Sequence, residues 1–425
     1  MKKTFKYSAM VAFATILLIS CLRNKEQETS VKNISNAVVL RWNEVAYNAF
    51  GGANYQHSLM ASRINAMMNL AIHDAVNAVE PVYEFYLFKG NDKAADPVAA
   101  AASAAHTVLL NELPGKKEFL DAALQESLLP ITNSIARNKG IELGKEAGSA
   151  IINARYNDGA AGDPVAQIPL SEVAGVYQPV PPFNIQFAPY WENVSLFGLQ
   201  SKDQFRPAPP PALSTEAYAK AFEEVKAIGR SNSTTRSADQ LSYAKFWYEF
   251  SEAGWNRITK VVATDKNLNL AESARLFALV TMALADSYIA GWDAKLHYNF
   301  WRPYTAIRSA ATDNNEATTA DINWEPSEPT PPIHDYPSTH SALGNAAATV
   351  LANVLGDNTS FSFTSPTAIP ANSTRSFTSF LGAADENANS RVMAGIHFRF
   401  SCEAGQELGN KIGDWIVDNK LKSLK

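Results

Sequence analysis

Along most of this chain apolar residues recur at the three-to-four-residue spacing of helices, and no stretch alternates as a half-buried strand does. Helices that each carry an apolar stripe must cover it with one another, which confines the fold to an all-α, helix-on-helix architecture. The spacing predicts helices over Ser58 to Val79, Pro97 to Leu110, Glu118 to Leu129 and Ser134 to Ala154, a first bundle spanning 38–163. A second bundle, 214–425, is expected to hold a helix capped by Ser214 and running to Gly229, then helices over Ala238 to Phe250, Ala271 to Arg302, Pro337 to Leu355, Ser373 to Gly395 and Glu403 to Asn419. Between them, residues 164–213 are rich in proline and aromatic residues, as in Val180-Pro181-Pro182-Phe183 and Pro207-Ala208-Pro209-Pro210-Pro211, and cannot form a regular helix. So long an irregular stretch is expected to wrap the surface or cross between bundles, and to border a site.

A length of 425 residues supports a sizeable core, and a net charge of −5 with 19% charged residues argues against a nucleic-acid binder. The amino terminus stands apart. Lys2, Lys3 and Lys6 precede an apolar run from about Met10 to Ile19, too short to span a bilayer and therefore a signal peptide over 1–20. The following Leu18-Ile19-Ser20-Cys21 resembles a bacterial lipoprotein cleavage site, which implies acylation of Cys21, a polar tether over 21–37 and attachment to the cell envelope. Nothing after Cys21 reads as a membrane span. Cys402 is the one other cysteine, so no disulfide framework is expected.

Three segments of the second bundle carry polar groups on otherwise apolar helices. Lys295 and Arg302 lie seven apart, which on a continuous helix puts both cations on nearly one face, flanked by Leu296, Tyr298, Phe300 and Trp301 rather than by solvent-seeking residues. Pro337-Ser338-Thr339-His340 opens a small-residue helix whose free first-turn amides form an anion site, with His340 beside it to move protons. Arg391 and His397 are six apart and would diverge on an unbroken helix, so Gly395 is expected to end the helix and turn His397 back. Each piece alone has an ordinary reading: a solvated charged face, a capping histidine, a core histidine. Together, three cations in one apolar region require a compensating anion.

Lys295 with Arg302-Pro303, then Pro337-Ser338-Thr339-His340, then Ser390-Arg391 with Gly395-Ile396-His397, is similar to the signature of vanadium haloperoxidases and type 2 phosphatidic acid phosphatases. His73-Asp74-Ala75-Val76-Asn77-Ala78, Phe205-Arg206-Pro207 and Trp292-Asp293-Ala294-Lys295 also resemble the longer bacterial haloperoxidase-like chains, so the likeness covers nearly all of the mature chain. The resemblance implies that Lys295, Arg302 and Arg391 neutralise vanadate oxygens, that Ser338 and the Thr339 amide add hydrogen bonds, that His397 ligates vanadium and that His340 is the acid–base group. Hydrogen peroxide and iodide or bromide would then be the substrates. In the phosphatase branch phosphate occupies the same clamp, His397 attacks the phosphorus of a phosphomonoester and His340 protonates the leaving alcohol. Trp292 favours the peroxidase branch as an aromatic on the halide side, with Ile333 and His334 as further halide-pocket candidates. Thr339 replaces the glycine usual in these peroxidases and narrows the pocket. A third reading, an anion-binding lipoprotein without catalysis, leaves the retention of both His340 and His397 without a purpose. Asp74 and Asp293 are candidates for orienting arginines or lysines.

Overall fold

The computed structural model describes residues 30–424. Cys21 and the expected signal peptide lie outside the described residues. The first described segment is already part of the fold: Val31 is buried, and the Leu270 amide donates to the Ile34 carbonyl (2.9 Å). Residues 30–36, expected to belong to a free tether, therefore pack against the body of the protein.

Helix α1 (Ala37–Phe50) ends where Gly51 adopts φ +119, a conformation without penalty only for glycine. Helix α2 (Ser58–Val79) is buried along almost its whole circumference, its polar Arg63, Asn69, His73, Asp74 and Asn77 included. Helix α3 (Pro97–Glu112) starts with proline in its first turn and with Asp96 Oδ1 accepting from the Ala99 amide (2.8 Å). Helices α4 (Lys117–Leu128) and α5 (Ser134–Ala154) complete the first group. The alanine-rich face of α3 receives a ridge of glycines from α5: a Cβ at Gly144 would overlap the Ala100 carbonyl oxygen.

The next helices are α6 (Glu216–Ile228), α7 (Ala238–Phe246), α8 (Ser251–Asp265), α9 (Leu270–Tyr298), α10 (Pro303–Arg308), α11 (Thr339–Leu355), α12 (Phe380–Met393) and α13 (Arg399–Asn419). The cap of α6 is Thr215, one residue beyond the expected Ser214, because its hydroxyl accepts from the Tyr218 amide (3.3 Å). The helix expected to reach Phe250 stops at Phe246. A separate helix, α8, which the spacing did not announce, begins at Ser251. Helices α11 and α13 repeat the device of α3 and α5, since a Cβ at Gly409 would overlap the Ala342 carbonyl oxygen.

Two antiparallel hairpins correct the expectation of no strands. β1 (Val165–Ala166) pairs with β2 (Gln186–Phe187), and β3 (Phe361–Ser365) pairs with β4 (Ser373–Phe377). The stretch from Ser373, expected as the start of a helix, instead runs extended beside β3, which buries Phe361 and Phe363 on one face. The helix waits for the Ser379 cap.

One apolar cluster extends from Val31 to Leu421, with α9 through its centre against α2, α11 and α13. Contrary to the sequence expectation, α9 is long and apolar enough to cross a membrane by length and composition. In the fold 94% of its most apolar window is buried, which makes it a core helix. A smaller cluster of Trp301, Trp324, Phe398 and neighbours lies under the segment connecting α9 to α10.

Candidate active site

Lys295 occupies the last turn of α9, and Asn299 in the left-handed conformation (φ +47) ends that helix. The continuous helix expected to carry both cations therefore does not exist. Phe300 and Trp301 instead run extended beside residues 175–177, the Trp301 amide donating to the Gly175 carbonyl (2.9 Å), and deliver Arg302 as the extended residue capping α10. The two cations reach one place by this reversal rather than by helical phase.

Both are held by main chain. Lys295 Nζ donates to the carbonyls of His334 (2.7 Å) and Asp335 (3.0 Å). Arg302 donates from Nε to the Ile333 carbonyl (2.7 Å) and from Nη1 to the Ile396 carbonyl (2.7 Å). Loop 333–335 is thus a carbonyl cradle that fixes cations without neutralising their charge. The third cation, Arg391 in α12, donates to the Trp247 carbonyl (3.2 Å) and lies over the Tyr248 ring, while its Nε finds no acceptor among the described residues. All three are buried. Burial, then the Arg302 charge, holds Lys295 well below the ordinary lysine range, and burial lowers Arg391 to about 10.

Gly395 behaves as the sequence predicts. At φ +79 it follows the Ala394 C-cap, its amide donating to Val392 and that of Ile396 to Arg391, a paired closure that reverses the chain. His397 then projects back beside Arg302, with Nε2 2.9 Å from Arg302 Nη1. Burial, followed by the Arg302 and Lys295 charges, keeps His397 neutral.

Helix α11 starts at Thr339, so Ser338 is the cap and Pro337 lies before it rather than in the first turn. Ser338 Oγ faces the Ser341 amide at 3.5 Å, and first-turn amides such as those of Thr339 and His340 have no intrahelical acceptor. His340 Nε2 lies 2.9 Å from the Glu249 carbonyl, and burial with the Arg391 charge holds this ring neutral too. Lys295 and Arg302 share loop 333–335 and Arg302 touches His397, and the charges of Lys295, Arg302 and Arg391, after burial, lower both histidines, so the five residues belong to one site.

A family model, the second helical-bundle domain of vanadium chloroperoxidase, matches residues 275–424. The vanadium chloroperoxidase of Curvularia inaequalis is 25% identical over 90% of this chain and 81% of its own length. Among solved structures, one described as the first bacterial vanadium-dependent iodoperoxidase superposes with a TM-score of 0.80 at 27% identity, covering 92% of this chain and 99% of its own. Over nearly its whole length the chain is similar to vanadium haloperoxidases. A bacterial vanadium-dependent chloroperoxidase, 18% identical with a TM-score of 0.69 over 87% of this chain and 93% of its own, shares the fold.

The proposed halide-side residues are all buried and of different kinds. Trp292 donates from Nε1 to the Phe187 carbonyl (3.3 Å) and meets Tyr288 edge-on. Ile333 offers its carbonyl to Arg302. His334 lies 4.5 Å from the Tyr177 ring, its Nδ1 without a partner among the described residues, and burial drives its pKa to about 3. Tyr177, from the 164–213 segment, was not foreseen, although that segment does border the site: Phe187 also donates to the Pro332 carbonyl (2.8 Å). Asp293, a candidate for orienting an arginine or lysine, clasps Arg206 through two bonds (2.8 and 2.9 Å) and so ties the segment to α9. Asp74 orients no cation. Its carboxylate accepts from the amides of Tyr86, Leu87 and Phe88.

The functional residue that sequence reading missed is Asp335. It is fully buried, accepts from Ser401 Oγ, and lies 3.0 Å from His397 Nδ1 and 3.9 Å from Arg302 Nη1. Burial raises its pKa to about 6 and the Arg302 charge opposes that rise. The available signal was charge balance, since three buried cations call for an acid nearby.

Proposed function

We propose that this protein is a vanadate-dependent haloperoxidase that oxidises iodide or bromide with hydrogen peroxide to a hypohalous species. The observation that carries the reading is the convergence of three buried, main-chain-anchored cations on a neutral histidine. The unpaired Arg391 Nε and the excess of buried positive charge fit a small oxyanion. Lys295, Arg302 and Arg391 would hold its oxygens, Ser338 and the Thr339 amide would donate to them, and His397 Nε2 would meet its central atom. When bound, vanadate supplies a Lewis-acidic centre that activates peroxide toward halide. His340, if Nε2 donates to Glu249, keeps Nδ1 free to accept and return protons during a reaction that consumes one proton per hypohalous acid formed. Trp292 is assigned to the halide side.

The names of the relatives, an iodoperoxidase and chloroperoxidases, support this reading. The same clamp accepts phosphate, so the deciding assay sets peroxide-dependent oxidation of iodide and bromide, with and without added vanadate, beside hydrolysis of a phosphomonoester. Halide oxidation that needs both vanadate and peroxide supports the peroxidase. Phosphate release that vanadate inhibits moves the protein to the phosphatase branch. We further propose attachment to the cell envelope through Cys21.

A further inference from the structure

The two nitrogens of His397 face chemically opposite neighbours. Nε2 lies 2.9 Å from Arg302 Nη1, nearer than the 3.4 Å from that atom to Nδ1. Arginine can only donate, so a proton on Nε2 would point one N–H at another. Nδ1 lies 3.0 Å from Asp335 Oδ1. Among the described residues that oxygen has no assigned hydrogen bond: the carboxylate's second oxygen takes Ser401 Oγ, Arg302 Nη1 at 3.9 Å is beyond hydrogen-bond reach, and the Phe398 amide also faces the carboxylate. A bare Nδ1 there would set two lone pairs against each other in a pocket closed to water, although the present contact is too bent for a full hydrogen bond.

We propose that Asp335 is a positioning residue: it holds the proton of His397 on Nδ1, so that the Nε2 lone pair is the one presented to the central atom of the bound oxyanion. The inference rests on the assignment of His397 as that ligand. Asp335 is well placed for the task because it is itself immobilised. Its amide donates to the Phe300 carbonyl (2.9 Å), its carbonyl accepts from Lys295 and its carboxylate is pinned by Ser401, so one residue ties α9, the extended link between α9 and α10, and the start of α13 to the histidine. Carboxylate partners of this kind set the tautomer of metal-bound histidines and change metal affinity about 10–100-fold when removed.

The test is nitrogen-15 NMR of histidine-labelled, vanadate-free full chain, with His397→Gln to assign the signal, followed by titration with orthovanadate. The wild type is expected to show Nδ1 protonated and Nε2 bare. Asp335→Asn is expected to shift population toward the Nε2-protonated ring and to weaken orthovanadate binding about 10–100-fold. Ser401→Ala, a milder change that frees the carboxylate, should move the ring signal the same way by less, and serves if Asp335→Asn fails to fold. A wild-type ring protonated on Nε2 overturns the proposal. So does an Asp335→Asn ring that keeps the wild-type tautomer, even if vanadate affinity falls, because Asp335 would then act by charge alone. If the wild type binds no vanadate while the tautomer shifts as expected, the function proposed above fails and the role of Asp335 in setting the ring stands.

Discussion

Replacing Lys295 by methionine separates what the clamp does for the ligand from what it does for the fold. In the anion-free protein the buried ammonium carries a desolvation penalty of several kcal/mol, partly offset by two carbonyl contacts at 2.7 and 3.0 Å. Methionine removes the penalty and strands two acceptors at about 1–3 kcal/mol each, so the two changes oppose and unfolding free energy should move by no more than about 2 kcal/mol. Anion binding has no such compensation. Loss of one charge-assisted contact, about 1.5–3 kcal/mol, weakens orthovanadate roughly 10–150-fold. Urea unfolding reads both. With orthovanadate at about 100 times the wild-type Kd, the wild type gains about 2.7 kcal/mol, and a variant binding about 50-fold more weakly gains only about 0.6 kcal/mol. The pH dependence has a definite sign. Because the folded-state pKa of Lys295 lies below its unfolded value, the folded protein binds fewer protons over that interval, and anion-free stability should rise with pH there. Lys295→Met should lack that rise. Undiminished vanadate stabilisation in Lys295→Met would refute the reasoning.

Four further outcomes are expected. His397→Ala should abolish vanadate-dependent turnover while leaving far-ultraviolet circular dichroism unchanged, and persisting activity would remove the ligand assignment. Gly395→Ala should lower unfolding free energy by about 2–4 kcal/mol, since the new Cβ adopts a left-handed backbone, collides with the Gly229 carbonyl and lies 3.1 Å from Pro326 Cα; urea unfolding measures it. Glu252, held by Tyr55 Oη (2.5 Å) and Tyr288 Oη (2.7 Å), has its pKa raised from 4.5 to about 7, first by burial, so folding takes up a proton and stability falls as pH rises from about 4.5 to 7. Glu252→Gln should remove about 3 kcal/mol of that fall, and parallel stability–pH curves for the two proteins would count against it. Cys21→Ser should release the protein from membranes on fractionation, and retention of the variant would sink the envelope proposal.

The helical architecture was legible because long helices repeat their apolar spacing many times, as Ser58–Val79 and Ser134–Ala154 do. The hairpin at Phe361–Ser365 and Ser373–Phe377 escaped notice because five-residue strands offer two or three alternations, too few to outweigh the helical residues beside them. The site's cations and histidines were legible as residue types at fixed spacing, and Gly395 supplied the predicted turn. What the spacing hid was mechanical. Asn299 entering the left-handed region breaks the helix between Lys295 and Arg302, a choice that one asparagine in an apolar run does not announce. The carbonyls of Ile333, His334 and Asp335 are also invisible, since main-chain acceptors have no residue type. Asp335 itself lies two residues before Pro337 and needed only a count of buried charge.

The glycine ridges leave one problem of alignment unsolved. Gly405, Gly409 and Gly413 meet the carbonyls of Ser338, Ala342 and Ala346 in turn, so α11 and α13 run side by side in the same direction and begin together at the pocket. A ridge that repeats every fourth residue fits almost as well after sliding one turn, about 6 Å along the axis. Polar pins forbid the slide: Asn410 Oδ1 accepts from Asn345 Nδ2 (2.9 Å) and Thr349 Oγ1 (3.1 Å), and Asp414 accepts from Asn353 Nδ2 (3.0 Å). Such a slip would draw His397, just before α13, away from His340 in the first turn of α11. The spacing of the two histidines is therefore gauged at Asn410, three turns down the helix, where a substitution touches no ligand and still changes the distance across the pocket.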